Sequence, residues 1–249
     1  MAFASPVQSP HLGMLALEPL RALFEFARMQ LTESSPAQAR GDGHAVVLFP
    51  GLGADHRFMD PLARHCADLG YDVRHWGRGR NTGPDGDPTR WLDALAQEID
   101  ALVPSSQREV TLIGWSLGGL YAREIAKSLP HRVRQVITLG TPFARLANST
   151  NVQWLYEFLS GTTAAVDTAF ARRLAMTPPV PTTSIYSLTD GVVAWQACVG
   201  KASPLSENIE VASSHLGLIW HPDVLHIVAD RLAQPRGNWK RWRDASLAA

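Results

Sequence analysis

Short apolar runs of strand length alternate with segments of helical periodicity through most of this chain, and that alternation constrains the fold more than any other feature. Residues 45–49, 110–113 and 133–139 are predominantly apolar and lack the in–out alternation of a half-exposed strand. Residues 71–76, 183–188 and 208–212 have the same strand character. Between them, residues 57–69, 89–103, 117–129 and 222–232 read as helices. Leu92, Leu95, Ala96, Ile99 and Val103 share one face, as do Val224, Leu225, Val228 and Leu232. Strands of this kind separated by helices imply an α/β fold, a parallel sheet covered on both sides.

Two regions depart from the rhythm. Residues 1–40 read as a tail followed by a helix from Pro19, with Leu20, Leu23, Phe24, Ala27 and Leu31 at helical spacing. Its other face is not lysine-rich, so this helix is expected to pack on its own domain rather than lie on a membrane. Over 40 residues separate the strands at 133–139 and 183–188, more than a simple crossover needs. Within them Trp154, Leu155, Phe158, Phe170 and Leu174 suggest helices, so 143–179 is expected to be a helical cap over one end of the sheet. The whole of 1–249 reads as a single domain.

Composition excludes several function classes. Basic and acidic residues balance at 23 each, which offers no electrostatic magnet for nucleic acid. Cys66 and Cys198 lie far apart with no C-x-x-C, so they are expected to fill core space rather than form a disulfide or a zinc site. No run approaches the roughly 18 apolar residues of a membrane span, so no stable membrane insertion is expected. Residues 1–10 lack the basic start of a secretory signal and carry Pro6 and Pro10. The expected location is cytoplasmic.

The chemistry centres on Gly114-Trp115-Ser116-Leu117-Gly118, a G-x-S-x-G pattern between a strand and a helix. That context is a nucleophile elbow, which projects a serine hydroxyl from the end of a strand. Side chains at 114 and 118 would collide with neighbouring backbone, and Gly119 leaves room for close helix packing. Serine needs a base to take its proton. His215 follows the strand at 208–212 and precedes the last helix, which puts it at the same sheet edge. His44 precedes its strand and falls at the opposite edge. His56 and His75 are expected to be peripheral, and His221 and His226 to belong to the last helix. Asp190, after the strand at 183–188, is placed to orient the imidazole, whereas Asp167 and Asp223 read as solvated or capping. The order Ser116, Asp190, His215 is that of one known triad arrangement.

An oxyanion formed at a carbonyl needs preorganised donors. The backbone N–H of Leu117 is one. Leu52, flanked by Gly51 and Gly53 after the first strand, is expected to supply the other. Trp115, Trp154 and Phe158 are expected to line the substrate pocket. The loop from Trp76 to Pro84 is glycine-rich but opens no nucleotide-binding helix and has no P-loop lysine; Arg78 or Arg80 is expected to hold loop carbonyls, the alternative being contact with an acidic substrate group.

These stretches resemble the α/β-hydrolase superfamily, most closely its small lipase/esterase branch. Val47-Leu48-Phe49-Pro50-Gly51-Leu52-Gly53, Gly114 to Gly119, Thr138-Leu139-Gly140-Thr141-Pro142, Tyr186 to Val193 and Ser214-His215-Leu216-Gly217-Leu218 carry the likeness. The resemblance implies the strand order second-first-third-fourth-fifth-sixth and a fold reduced at its N-terminus. One departure is Pro50, where many relatives have histidine before the oxyanion-loop glycine.

The expected activity is hydrolysis of carboxylic esters through an acyl-enzyme, with no metal or organic cofactor. The expected partner is a small-molecule ester with a hydrophobic acyl or alcohol part. Acyl transfer, thioester or lactone cleavage on the same triad, or ligand binding without turnover, remain the alternatives.

Overall fold

A computed structural model describes residues 9–31, 41–103, 109–144 and 168–242. Its centre is a six-stranded sheet of β1 (Ala45–Phe49), β2 (Asp72–His75), β3 (Val110–Trp115), β4 (Val133–Leu139), β5 (Thr182–Tyr186) and β6 (Ser206–Glu210). The order is β2-β1-β3-β4-β5-β6 and every pair is parallel. Strand order therefore reverses between β1 and β3, which opens a crevice at their carboxyl ends. Among the described residues the α-helices are α1 (Leu12–Leu31), α2 (His56–Asp68), α3 (Pro88–Leu102), α4 (Leu117–Ser128), α5 (Thr168–Ala175) and α6 (Pro222–Leu232).

The missing alternation in the strands has a direct cause. In β1, Val47 and Phe49 enter a core shared with α3 and α4. Val46 and Leu48 enter a second core shared with α2 and α6. Both faces exclude water, so every position is apolar. Each such side chain contributes roughly 1.5–3 kcal/mol on full burial. Cys66 and Cys198 are buried free thiols, and burial pushes Cys66 up to about 12. Side chains close the helix starts: Asp55 accepts from Arg57 N at 2.9 Å, Asp87 from Arg90 N at 2.8 Å and His221 from Asp223 N at 3.3 Å. β5 and β6 end at Tyr186 and Glu210, earlier than the expected 188 and 212, because the chain already turns there into the loops that carry Asp190 and His215.

The first helix overturns its expectation twice. It starts at Leu12, and Pro19 lies inside it. Its apolar stripe faces away from the body: Leu20, Leu23, Phe24 and Leu31 are all exposed. The face against the body buries Glu18, Ala22 and Glu25 instead. Backbone N–H groups in the loops after β5 and β6 need acceptors, and the two carboxylates supply them. Trp220 anchors the same face, donating to Ala22 O at 3.2 Å and meeting Phe26 edge-on.

Of the segment 143–179, residues 145–167 lie outside the described residues, and with them Trp154, Leu155, Phe158 and Asp167. The described ends are tied to the body. Phe143 and Ala144 are buried, and both amides donate to Ala197 O. α5 packs on α4, where Arg173 pairs with buried Glu124 at 2.8 Å and Lys127 Nζ donates to Arg173 O at 2.6 Å.

Candidate active site

Ser116 lies between β3 and α4 with φ 52° and ψ −122°. Among the described residues no other non-glycine residue has positive φ. Strain of this kind persists only where the surroundings impose it. Here a Cβ on Gly114 would strike the backbone of Gly118 and Gly119, and one on Gly118 would strike the carbonyls of Phe49 and Pro50. Gly119 makes room for the Thr141 side chain rather than for a strand. The Ser116 amide donates to Leu139 O at 2.8 Å, which ties the turn to the end of β4.

Asp190 follows β5 and His215 follows β6. Their side chains meet with Asp190 Oδ2 2.6 Å from His215 Nδ1. The other oxygen, Oδ1, accepts from Val192 N at 2.8 Å and Val193 N at 2.7 Å. Burial pulls the His215 pKa down, but the Asp190 carboxylate, aided by Glu18, outweighs it and holds the imidazole above its ordinary value.

His215 is bracketed by the residues around Ser116. The Trp115 and His215 ring centroids are 5.3 Å apart, and Trp115 Nε1 donates to His215 O at 3.0 Å. Gly140, one residue beyond the Leu139 carbonyl that Ser116 bonds, would bring a Cβ to 3.0 Å from His215 Nδ1. Ser116 Oγ makes no hydrogen bond to the imidazole; such contacts are often long before substrate arrives. Trp115 is buried, stacked on Phe58 at 4.8 Å and lying against Gly51. It stands as a wall between the β1 loop and His215.

Leu117 opens α4, where amides have no intrahelical acceptor. Leu52 sits in a turn closed by Ala54 N donating to Gly51 O at 3.1 Å. Asn81, which sequence reasoning missed, fixes that turn from outside. Its Nδ2 donates to Pro50 O at 2.8 Å. Its Oδ1 accepts from Gly83 N at 3.0 Å and Tyr121 Oη at 3.2 Å. Its backbone exchanges two further 2.8 Å bonds, with Gly53 and Ala54. A lone amide among glycines was the available signal. Arg78 holds no loop carbonyl in this structure; it pairs with Glu98 and lies over the Trp91 ring.

His44 is at the opposite sheet edge with Asp42 and Thr111. The His56 and His75 rings neighbour each other at 5.4 Å. A cavity of about 360 Å³ lined by Glu109, Arg134, Gln135 and Trp239 lies at the amino-terminal edge of the sheet, at the far end from Ser116.

Comparison with known proteins agrees with this architecture. The profile of the Alpha/beta hydrolase family matches residues 46–248. Pimeloyl-[acyl-carrier protein] methyl ester esterase of Shewanella woodyi is 30% identical over 114 residues, 45% of this chain and 41% of that relative. Serine hydrolase BPHL of Homo sapiens is 30% identical over 110 residues, 41% of this chain and 38% of that relative. The chain thus matches less than half the length of these curated relatives. Among solved structures, Aspergillus fumigatus lipase B has a TM-score of 0.59 at 18% identity, over 82% of this chain and 56% of that one. Bacillus licheniformis lipase BlEst2 has a TM-score of 0.56 at 19% identity, over 81% and 95%. Identities this low speak to the fold alone.

Proposed function

We propose that this chain, which belongs to the Alpha/beta hydrolase family, hydrolyses carboxylic esters through a covalent acyl-enzyme. The observation that carries the reading is the buried Asp190–His215 pair packed beside the strained turn at Ser116. Ser116 Oγ attacks the ester carbonyl while His215 Nε2 takes its proton. Asp190 holds Nδ1–H, so the ring keeps the tautomer in which Nε2 is free to act as base. The amides of Leu117 and Leu52 stabilise the oxyanion, each worth about 10²–10³ in rate. The carbonyl re-forms, the C–O bond to the alcohol breaks, and His215 returns the proton to the leaving oxygen. Water, deprotonated by the same nitrogen, then releases the acid and restores Ser116.

The proposed substrate is a small-molecule ester with an apolar acyl or alcohol part. A relative named as a methyl ester esterase supports this class. The test is labelling with a fluorophosphonate probe and turnover of aryl esters of increasing acyl length. Expected are labelling and hydrolysis by the wild type, both lost in Ser116→Ala. Labelling and turnover that persist in that variant would overturn the assigned nucleophile. Tight binding of small molecules with no turnover across the panel would favour a binding protein on a hydrolase scaffold.

A further inference from the structure

We propose that Glu18 is a positioning residue for the Asp190–His215 pair, and that α1 is built into the active site through it. The inference rests on the proposed serine chemistry. Glu18 Oε1 accepts from Gly191 N at 2.7 Å and from His215 N at 3.1 Å, and Oε2 accepts from His215 N at 2.9 Å. One carboxylate therefore bridges the residue after Asp190 and the backbone of His215 itself. Arg21, one turn along, donates to Thr189 O at 2.5 Å and to Thr189 Oγ1 at 2.8 Å, gripping the residue before Asp190. Glu25 accepts from Ser214 N at 2.8 Å and Ser214 Oγ at 2.5 Å, gripping the residue before His215. Positions 18, 21 and 25 share one helical face. One rigid element thus flanks both members of the pair on loops that follow different strands.

Ala22, Phe26 and Met29 pack this face on the core, but packing does not account for two buried carboxylates beside them. A helix that needed only to be held would bury its leucines, yet Leu20, Leu23 and Phe24 face solvent while Glu18 is 2% exposed. Burying a carboxylate is costly unless its oxygens are fully bonded. Here they are bonded to the loops that set the distance between Asp190 and His215. The charge acts in the same direction. When His215 takes the Ser116 proton, a second buried anion favours the imidazolium.

The test is steady-state kinetics of Glu18→Gln against the wild type, with an aryl ester that the wild type hydrolyses, over a range of pH. Glutamine keeps the shape but removes the charge and one acceptor. Expected is a kcat lower by on the order of 10-fold with KM within about twofold, since small misplacements of reacting groups are costly in rate. The acid limb of kcat/KM is expected to move to lower pH, because losing the anion makes His215 easier to deprotonate. A structural role alone would lower Tm and leave both the limb and the kcat of folded enzyme where they were, and that result overturns the proposal. If Glu18→Gln does not fold, Arg21→Met at the half-buried side of the same grip carries the test: a lower kcat at unchanged KM supports it, a wild-type kcat overturns it. A wild type that neither labels with fluorophosphonate nor turns over ester sinks the serine-hydrolase reading and this role together; an active wild type with unchanged variants sinks this role alone.

Discussion

Asp190 Oδ2 and His215 Nδ1 lie 2.6 Å apart with both side chains almost withdrawn from water, at 1% and 4% exposure. At that depth the proton on Nδ1 has one acceptor, so the tautomer is set by the pair. Asp190→Asn keeps an oxygen for the amides of Val192 and Val193 but turns an N–H₂ toward Nδ1. The imidazole must then accept there and carry its proton on Nε2, where it is no base. Expected is a kcat lower by about 10⁴-fold with the fold retained, measured by ester turnover and circular dichroism.

The raised His215 pKa has consequences of opposite sign for activity and stability. The base must be neutral, so kcat/KM is expected to rise with pH and to reach half its plateau above the ordinary histidine value of 6.5. The folded state holds the proton more tightly than the unfolded chain. Its contribution to stability is therefore full below about 6.5 and is lost as pH rises through the folded value. Turnover and urea melts across pH 5–9 (about two units either side of neutrality) check both signs. An acid limb centred below 6.5 would contradict the argument.

Asn81 is fully buried and its side chain makes three hydrogen bonds, to Pro50, Gly83 and Tyr121. Asn81→Ala strands the Pro50 carbonyl without a donor and loosens the turn that carries the Leu52 amide, leaving it only the two backbone bonds from residue 81 to Gly53 and Ala54. Expected is a loss of about 1–3 kcal/mol in stability. The kcat is expected to fall further than the folded fraction does, as seen by thermal melts alongside turnover.

The outward apolar stripe of α1 makes a stability prediction that an ordinary amphipathic helix would not. Leu20→Glu and Leu23→Glu, at positions each 65% exposed, are expected to change stability by no more than about 0.5 kcal/mol. Ala22→Asp, on the buried face beside Trp220, is expected to cost about 1–3 kcal/mol for an unpartnered polar group. Chemical denaturation of the three variants separates the two faces.

Much of this protein is legible from residue order alone. The bounds of β1, β4 and α6 follow from apolar runs and flanking glycine or proline, because strands and helices obey local periodicities. The positions of Ser116, Asp190 and His215 follow from serine, aspartate and histidine standing after β3, β5 and β6, because a parallel sheet delivers every strand end to one edge. Local pattern also misled, most plainly at α1. The spacing of Leu20, Leu23, Phe24 and Leu31 marks a helix correctly but assigns its buried face wrongly. Which face packs was decided by partners nearly 200 residues away, the amides of Gly191, Ser214 and His215, which needed acceptors that only Glu18 and Glu25 supply. Asn81 was hidden for the same reason. Its bonds run to Pro50 and Tyr121, across distances in the chain that no periodicity spans. Periodicity and motif order determined the sheet and the edge that carries the candidate site; the satisfaction of buried polar groups, which depends on contacts distant in sequence, decided what holds that edge in shape.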